Sequence, residues 1–175
     1  MNVKSLHLIV PNATHKNLVM QYRDAFLDVH PGHIPGAPSL AKCDTYDHWL
    51  RLLELDQNNI DPYRVAASQY IALDDSEHII GVIQLRHALT PYLMEVGGHI
   101  GYSVHPFEEG KGYATEMLRL CLDKAREIGL ERVLVTCDKD NVGSSRVIEK
   151  NGGVLEDIRD TPDCLKRRYW ITING

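Results

Sequence analysis

No stretch of the 175-residue chain approaches the roughly 20 consecutive apolar residues that a membrane-spanning helix needs. The apolar run near the N-terminus, Leu6 to Val10, is too short for the core of a signal peptide, so a soluble, cytoplasmic protein is expected. Positive charge is also scarce. Nineteen Lys and Arg against 24 Asp and Glu leave a net charge of -5, which supplies no overall cationic field for nucleic acid or an anionic membrane surface. The expected partner is therefore a small molecule or peptide. Only four cysteines occur, Cys43, Cys121, Cys137 and Cys164, without a C-x-x-C pair and without histidines at zinc-ligand spacing. They read as free thiols in a reducing compartment. His30 and His33 have no companion ligands, so no metal site is expected. There is no internal repeat and no linker, and residues 1–175 are read as one domain.

What is present is a regular alternation of strand and helix signals. Leu6 to Val10 reads as an edge strand. After Pro11-Asn12, Thr14 can cap a helix with Leu18, Val19, Tyr22, Ala25 and Phe26 on one face. The prolines and glycines between His30 and Ser39 exclude regular structure, and a mobile loop acting as a substrate lid is expected there. Thr45 then precedes a helix carrying Trp49, Leu52, Leu53 and Leu55.

Three strands follow at Ser68 to Leu73, Ile79 to Leu85 and Val96 to Val104, read as an antiparallel meander. A helix from Gly112 to Ile128 stops at Gly129, and Arg132 to Cys137 has the continuous β-rich character of a strand buried on both faces. A short helix from Asn141 to Lys150 and strands near Val154 to Ile158 and Leu165 to Ile173 complete the order β-α-α-β-β-β-α-β-α-β-β. The fold class is α/β with a mixed, mostly antiparallel central sheet flanked by helices.

Chemistry concentrates in Gly101-Tyr102-Ser103-Val104-His105-Pro106-Phe107-Glu108-Glu109-Gly110-Lys111-Gly112-Tyr113-Ala114-Thr115, where a strand ends at a proline and a short loop leads to a helix. A helix opens here without a Ser, Thr, Asp or Asn cap, which leaves backbone N–H groups without partners beside two glycines that let the chain turn freely. With the helix dipole, and with Lys111 as a supplementary cation, this reads either as a site for a phosphate or pyrophosphate or as a plain loop-to-helix turn. There is no G-x-x-x-x-G-K-S/T and no G-x-G-x-x-G, so neither a P-loop nor a dinucleotide fingerprint accounts for it. A second cluster, Asn141, Ser144, Glu149, Lys150, Gly152 and Gly153, follows the buried strand directly; Asn141 reads either as a simple helix cap or as a ligand-binding group.

Together these segments resemble the GNAT superfamily of N-acetyltransferases. Glu109 to Ala114 stands where the family writes Q/R-x-x-G-x-G/A, and the second cluster resembles its N-x-x-S-x-x-x-x-E-K-x-G-F/G pattern. The resemblance covers roughly Ile79 to Ile158. It implies two splayed central strands with the pantetheine arm of acetyl-CoA between them, paired with backbone around Tyr102, Ser103 and Val104. The pyrophosphate would lie on the amides of Gly110, Lys111, Gly112, Tyr113, Ala114 and Thr115, with Asn141 and Ser144 touching the cosubstrate. The N–H near Val104 would donate to the thioester oxygen while an amine acceptor attacks directly, without an acyl-enzyme.

Two departures bear on this expectation. Glu109 replaces the usual Arg or Gln and brings a carboxylate to the phosphates, and Ile148 occupies the position where many relatives carry a tyrosine that protonates the leaving thiolate. His99, on the strand expected to line the acetyl group, is the candidate general base, with Glu95 as the fallback. The run Lys166-Arg167-Arg168 reads as a solvated face. The rival readings are a non-catalytic acyl-CoA-binding module or sensor, and an unrelated nucleotide-binding enzyme. Homodimerisation is left open.

Overall fold

The computed structural model describes residues 5–58 and 64–174. Seven strands and four α-helices run in the order β1 (Leu6–Ile9), α1 (Lys16–Val29), α2 (Tyr46–Gln57), β2 (Ala67–Asp74), β3 (Ile79–Arg86), β4 (Ile100–Val104), α3 (Tyr113–Glu127), β5 (Arg132–Asp138), α4 (Val142–Lys150), β6 (Val154–Asp160) and β7 (Leu165–Thr172). The sequence-derived order is met throughout. Thr45, which precedes α2, also caps it, whereas the first cap is not Thr14 but Asn12, whose side chain accepts from Thr14 N–H and opens a 3₁₀ turn ahead of α1.

The strands form two sheets, β1-β2-β3-β4 and β5-β7-β6, with every ladder inside them antiparallel. Helices cover both faces. On one side α1 and α2 pack Val19, Tyr22, Phe26, Tyr46 and Trp49 against Ile71, Leu73 and Val82. On the other, α3 and α4 pack Met117, Leu118, Cys121, Ala125 and Ile148 against Ile83, Leu85, Ile100, Val133 and Val135. Strand alternation explains the division: neighbouring residues of β3 enter opposite cores. Because β5 is the strand of the second sheet that adjoins β4, Val133, Leu134 and Val135 are all buried, as its unbroken apolar run requires.

Three segments differ from the sequence reading. The strand expected to start at Val96 starts at Ile100, because Leu93–Gly97 form a π-helical turn that Gly98, at φ +62°, reverses into β4. The loop between α1 and α2 is a packed plug and not a lid: Ile34, Ala37, Leu40 and Cys43 are buried in the core of that face. Arg168 is not solvated. It is 2% exposed, donating to Glu156, Asp157 and the carbonyl of Met94, and so ties β7 to β6 and to the π-helical turn. Among the described residues no helix is long and apolar enough to cross a membrane.

The plug meets β4 at Gly36 and Gly101. Gly36 has φ +81°, and a Cβ placed on it would come within 2.6 Å of Gly101 O and 2.7 Å of the Tyr102 Cα. Gly36→Ala combines left-handed backbone strain with a clash against backbone that cannot step aside. Its expected cost is roughly 2 to 4 kcal/mol, read as a lowered thermal midpoint.

Candidate active site

The two sheets meet at β4 and β5, which touch at one end and part at the other. His99 closes the junction. Its backbone N–H donates to Leu134 O at 2.7 Å, and its ring Nδ1 accepts from Leu134 N–H at 2.9 Å. The ring thus takes the place of the β4 carbonyl that would continue a ladder, and beyond it no β4–β5 pairing follows. Thr136 Oγ1 to Val96 O and Arg86 Nη1 to the carbonyls of Gly97 and Gly98 hold the same turn. A Cβ on Gly98 would lie 2.5 Å from Leu134 O, so only glycine allows this approach.

The walls of the cleft follow from register. Arg86 N–H bonds His99 O and His105 N–H bonds Ile80 O, so with the β3–β4 pairing these positions and every second one between them, Gly101 and Ser103, direct their backbone groups to β3. Tyr102 and Val104 therefore turn N–H and C=O into the cleft. The same reasoning on β5 and β7, anchored by Ile173 N–H to Glu131 O and Lys139 N–H to Leu165 O, leaves Leu134 and Thr136 facing it from the other side. Ser103 is not part of the cleft: its backbone serves β3, and its hydroxyl bonds the buried Tyr22 hydroxyl at 2.8 Å.

Across the cleft the Tyr102 hydroxyl lies 2.7 Å from Ser144 Oγ of α4, and Cys137 Sγ lies 3.4 Å from the neighbouring Ser145 Oγ. Burial pushes the Tyr102 phenol up to about 12, so it stays protonated at neutral pH. The Tyr102–Ser144 partnership escaped sequence reasoning, since nothing in either local motif fixes a contact across 42 positions. Ile148 is wholly buried in the core between α4 and the sheet, which suits an aliphatic side chain. Asn141 Oδ1 accepts from Ser144 N–H at 3.0 Å and caps α4.

At the open end, α3 begins at Gly112 with no side-chain cap, Gly112 at φ +87° and Gly110 at φ +74°. A Cβ on Gly110 would meet nothing within 4 Å. Uncapped N–H groups of Tyr113, Ala114 and Thr115 thus face open space with the positive end of the helix behind them. Lys111 pairs with Glu108 at 3.0 Å, and Glu109 turns to His30 at 3.4 Å.

The candidate bases are less suited to proton transfer than their sequence positions imply. Glu95 lies on the π-helical turn and not on β4, and is ion-paired with Arg159 of β6. His99 is buried, and burial together with the nearby Arg86 charge holds its ring near 4. Since Nδ1 accepts the Leu134 N–H, the neutral ring carries its proton on Nε2 and has no free lone pair.

Residues 16–154 match the family model of the GNAT acetyltransferase domain, the greater part of the chain. The chain belongs to this family. A Bacillus subtilis relative, the uncharacterized N-acetyltransferase YnaD, is 32% identical over 83 residues, covering 47% of this chain and 46% of the relative. The match thus spans about half the length of that curated relative. Among solved structures, the ribosomal L7/L12 alpha-N-protein acetyltransferase RimL in complex with coenzyme A superposes with a TM-score of 0.74 at 18% identity, covering 98% of this chain and 96% of RimL. A ribosomal-protein-S5-alanine acetyltransferase from Vibrio fischeri gives 0.70 at 17% identity, covering 100% and 97%. The microcin C7 self-immunity acetyltransferase MccE, in complex with acetyl-CoA and AMP, gives 0.71 at 16% identity, covering 98% and 94%. The two-sheet GNAT fold therefore extends well beyond the residues that the family model matches.

Because the His99 ring is neutral in the fold and titrates near 6.5 when free, unfolded chains bind the extra proton first as pH falls. Its contribution to stability is complete above about pH 6.5 and is lost progressively towards pH 4. His99→Ala leaves the Leu134 N–H without its acceptor and should cost about 1 to 3 kcal/mol at pH 7.5. His99→Asn, which can offer Oδ1 in the place of Nδ1, should recover most of that and flatten the pH dependence of the thermal midpoint between pH 6.5 and 4.

Proposed function

We propose that the chain moves an acetyl group directly from acetyl-CoA to a primary amine of a small molecule or peptide. The observation that carries this reading is the cleft itself: backbone of Tyr102, Val104 and Thr136 that no strand pairs leads from an uncapped helix start to the apex where His99 engages Leu134. An extended amide-bearing arm fits such a gap as an added strand would. The pyrophosphate then falls on the amides of Gly110 to Thr115, with Asn141 and Ser144 beside the arm. That RimL is described with coenzyme A and MccE with acetyl-CoA supports the choice of cosubstrate. The names of the relatives include protein and spermidine acetyltransferases, so amine acetylation is supported across different acceptors.

In the reaction the amine lone pair attacks the thioester carbon, the carbonyl oxygen gains charge, and the C–S bond then breaks. The N–H groups of Val104 and Tyr102 are the donors available to that oxygen. The departing thiolate takes a proton, and the Ser144–Tyr102 hydroxyl pair is the donor that this chain offers where many relatives use a tyrosine at the Ile148 position. His99 acts as a positioning residue that sets where the cleft begins. The amine's proton leaves to water, or the amine arrives as free base.

Thiol release from acetyl-CoA against a panel of amines tests the reading; coenzyme A binding without transfer to any amine would instead favour an acyl-CoA sensor. His99→Asn is expected to keep turnover within about 3-fold of wild type, whereas loss of a general base would lower it about 100-fold or more in both the Asn and Ala variants. Gly110→Ala puts a methyl group where the phosphates are proposed to sit, and coenzyme A affinity measured by calorimetry should fall several-fold. Glu109→Gln removes a carboxylate from the same mouth and should tighten coenzyme A by about 2- to 5-fold at low salt, an effect that fades as ionic strength rises.

A further inference from the structure

Among the nine histidines, only His33 and His48 make no hydrogen bond or ion pair within the described residues. His48 lies on the exposed first turn of α2, which packs on β2, two strands from the cleft wall. His33 is placed differently. It belongs to the plug, three residues before Gly36, whose backbone N lies 3.2 Å from where a Cβ on Gly101 would stand. Three residues of chain keep the Cα atoms of His33 and Gly36 within about 11 Å of each other. The His33 ring is also within electrostatic reach of Lys42 on the plug, Lys166 on β7 and Arg86 on β3.

Strand alternation shows what that trio means. Arg86 and Gly101 point to the α1–α2 side of the first sheet, and Thr136 and Lys166 to the same side of the second, opposite the core shared by Ile83, Ile100, Val133 and Val135. The cleft runs between the two sheets, so a ring acted on by a cation from each stands over the gap. The other proton acceptors around that gap are committed: Asp138 to Lys166, Glu95 to Arg159, and the His99 ring to the Leu134 N–H. Partial desolvation, followed by the charges of Lys42, Lys166 and Arg86, holds the His33 ring below its ordinary value. At neutral pH the ring is therefore uncharged, with a lone pair on one nitrogen that no protein group uses. The residue is exposed, so a substrate can reach it. The same cations disfavour a bound ammonium and favour the free amine that the attack requires.

We infer that His33 is the general base of the transfer, taking the proton of an amine that enters beside the plug, over Thr136 and the Asp138–Lys166 pair. Gly36 covers Gly101, which makes this flank the way in from the α1–α2 side. As the N–C bond forms and the C–S bond breaks, the neutral ring takes the proton that leaves nitrogen and becomes imidazolium, which then discharges to water. The departing thiolate takes its own proton from the Tyr102–Ser144 pair, which solvent refills. This rests on the transferase reading and gives the amine's proton its route to water.

The experiment follows thiol release from acetyl-CoA by the full chain, on an amine that the wild type uses, for His33→Ala and His33→Gln between pH 6 and 9. Glutamine keeps the size and polarity of the side chain but takes up no proton. At pH 7 kcat should fall about 100-fold or more in both variants. The KM for acetyl-CoA and the thermal midpoint should stay unchanged, because the ring bonds no protein group and lies away from the phosphate mouth. The deficit should shrink as pH rises and free amine becomes abundant. A kcat within about 3-fold of wild type in either variant, a loss confined to the KM of the acceptor, or a deficit that is the same at every pH overturns this inference and leaves the transferase reading standing. No transfer by the wild type to any amine overturns both.

Discussion

The backbone N–H of Leu134 is the group on which the arrangement of the molecule turns. On a continuous sheet it would bond a carbonyl of β4 and carry the ladder onward; here an imidazole nitrogen takes it. A side chain reaches only as far as its own tether, so the substitution ends the ladder after one rung, and the strands separate. The surroundings fit this single event. Gly98 permits the backbone to press on Leu134 O, Arg86 and Thr136 hold the preceding turn, and β4 is only five residues long because its N-terminal portion is spent on that turn. Both walls of the cleft then present unpaired backbone in register, which is the feature an extended ligand requires.

The same constraint explains why His99 is a poor base. An imidazole cannot both accept a structural hydrogen bond through Nδ1 and take up a proton at neutral pH without gaining a charge in a buried place beside Arg86. Position on the strand suggested chemistry; the partner of the ring decides in favour of geometry. Glu95 fails differently, because the π-helical turn carries it away from β4 to Arg159.

Much of the fold was legible in the sequence because it is written in local signals. Hydrophobic periodicity marked α1 and α3, the unbroken run at Arg132 marked a strand covered on both faces, and the missing cap at Gly112 marked the anion mouth. What was not legible depends on contacts between distant residues. The proline-rich loop reads as mobile by composition, yet Ile34, Ala37 and Leu40 sink into a core made by α1, α2 and β2. Arg168 reads as part of a charged face, but lies on the middle strand of its sheet, under the π-helical turn, where only a paired guanidinium is stable. Gln84 and Arg86 interrupt the apolar alternation of β3 at inward positions. That interruption is a sequence signal, but for Arg86 it acquires meaning only when the structure sets its guanidinium on the carbonyls of Gly97 and Gly98, further along the chain.

A chain with a net charge of -5 that takes an anionic cosubstrate must do so through local fields. At the mouth of the cleft the positive potential comes from backbone amides and a helix end, which cannot be lost by titration and tolerate a carboxylate such as Glu109 nearby, the more so with His30 beside it. Phosphates need several donors spread over a concave backbone, and an uncapped helix start beside two glycines of positive φ offers such a surface, so a net negative chain and affinity for a polyanion are compatible.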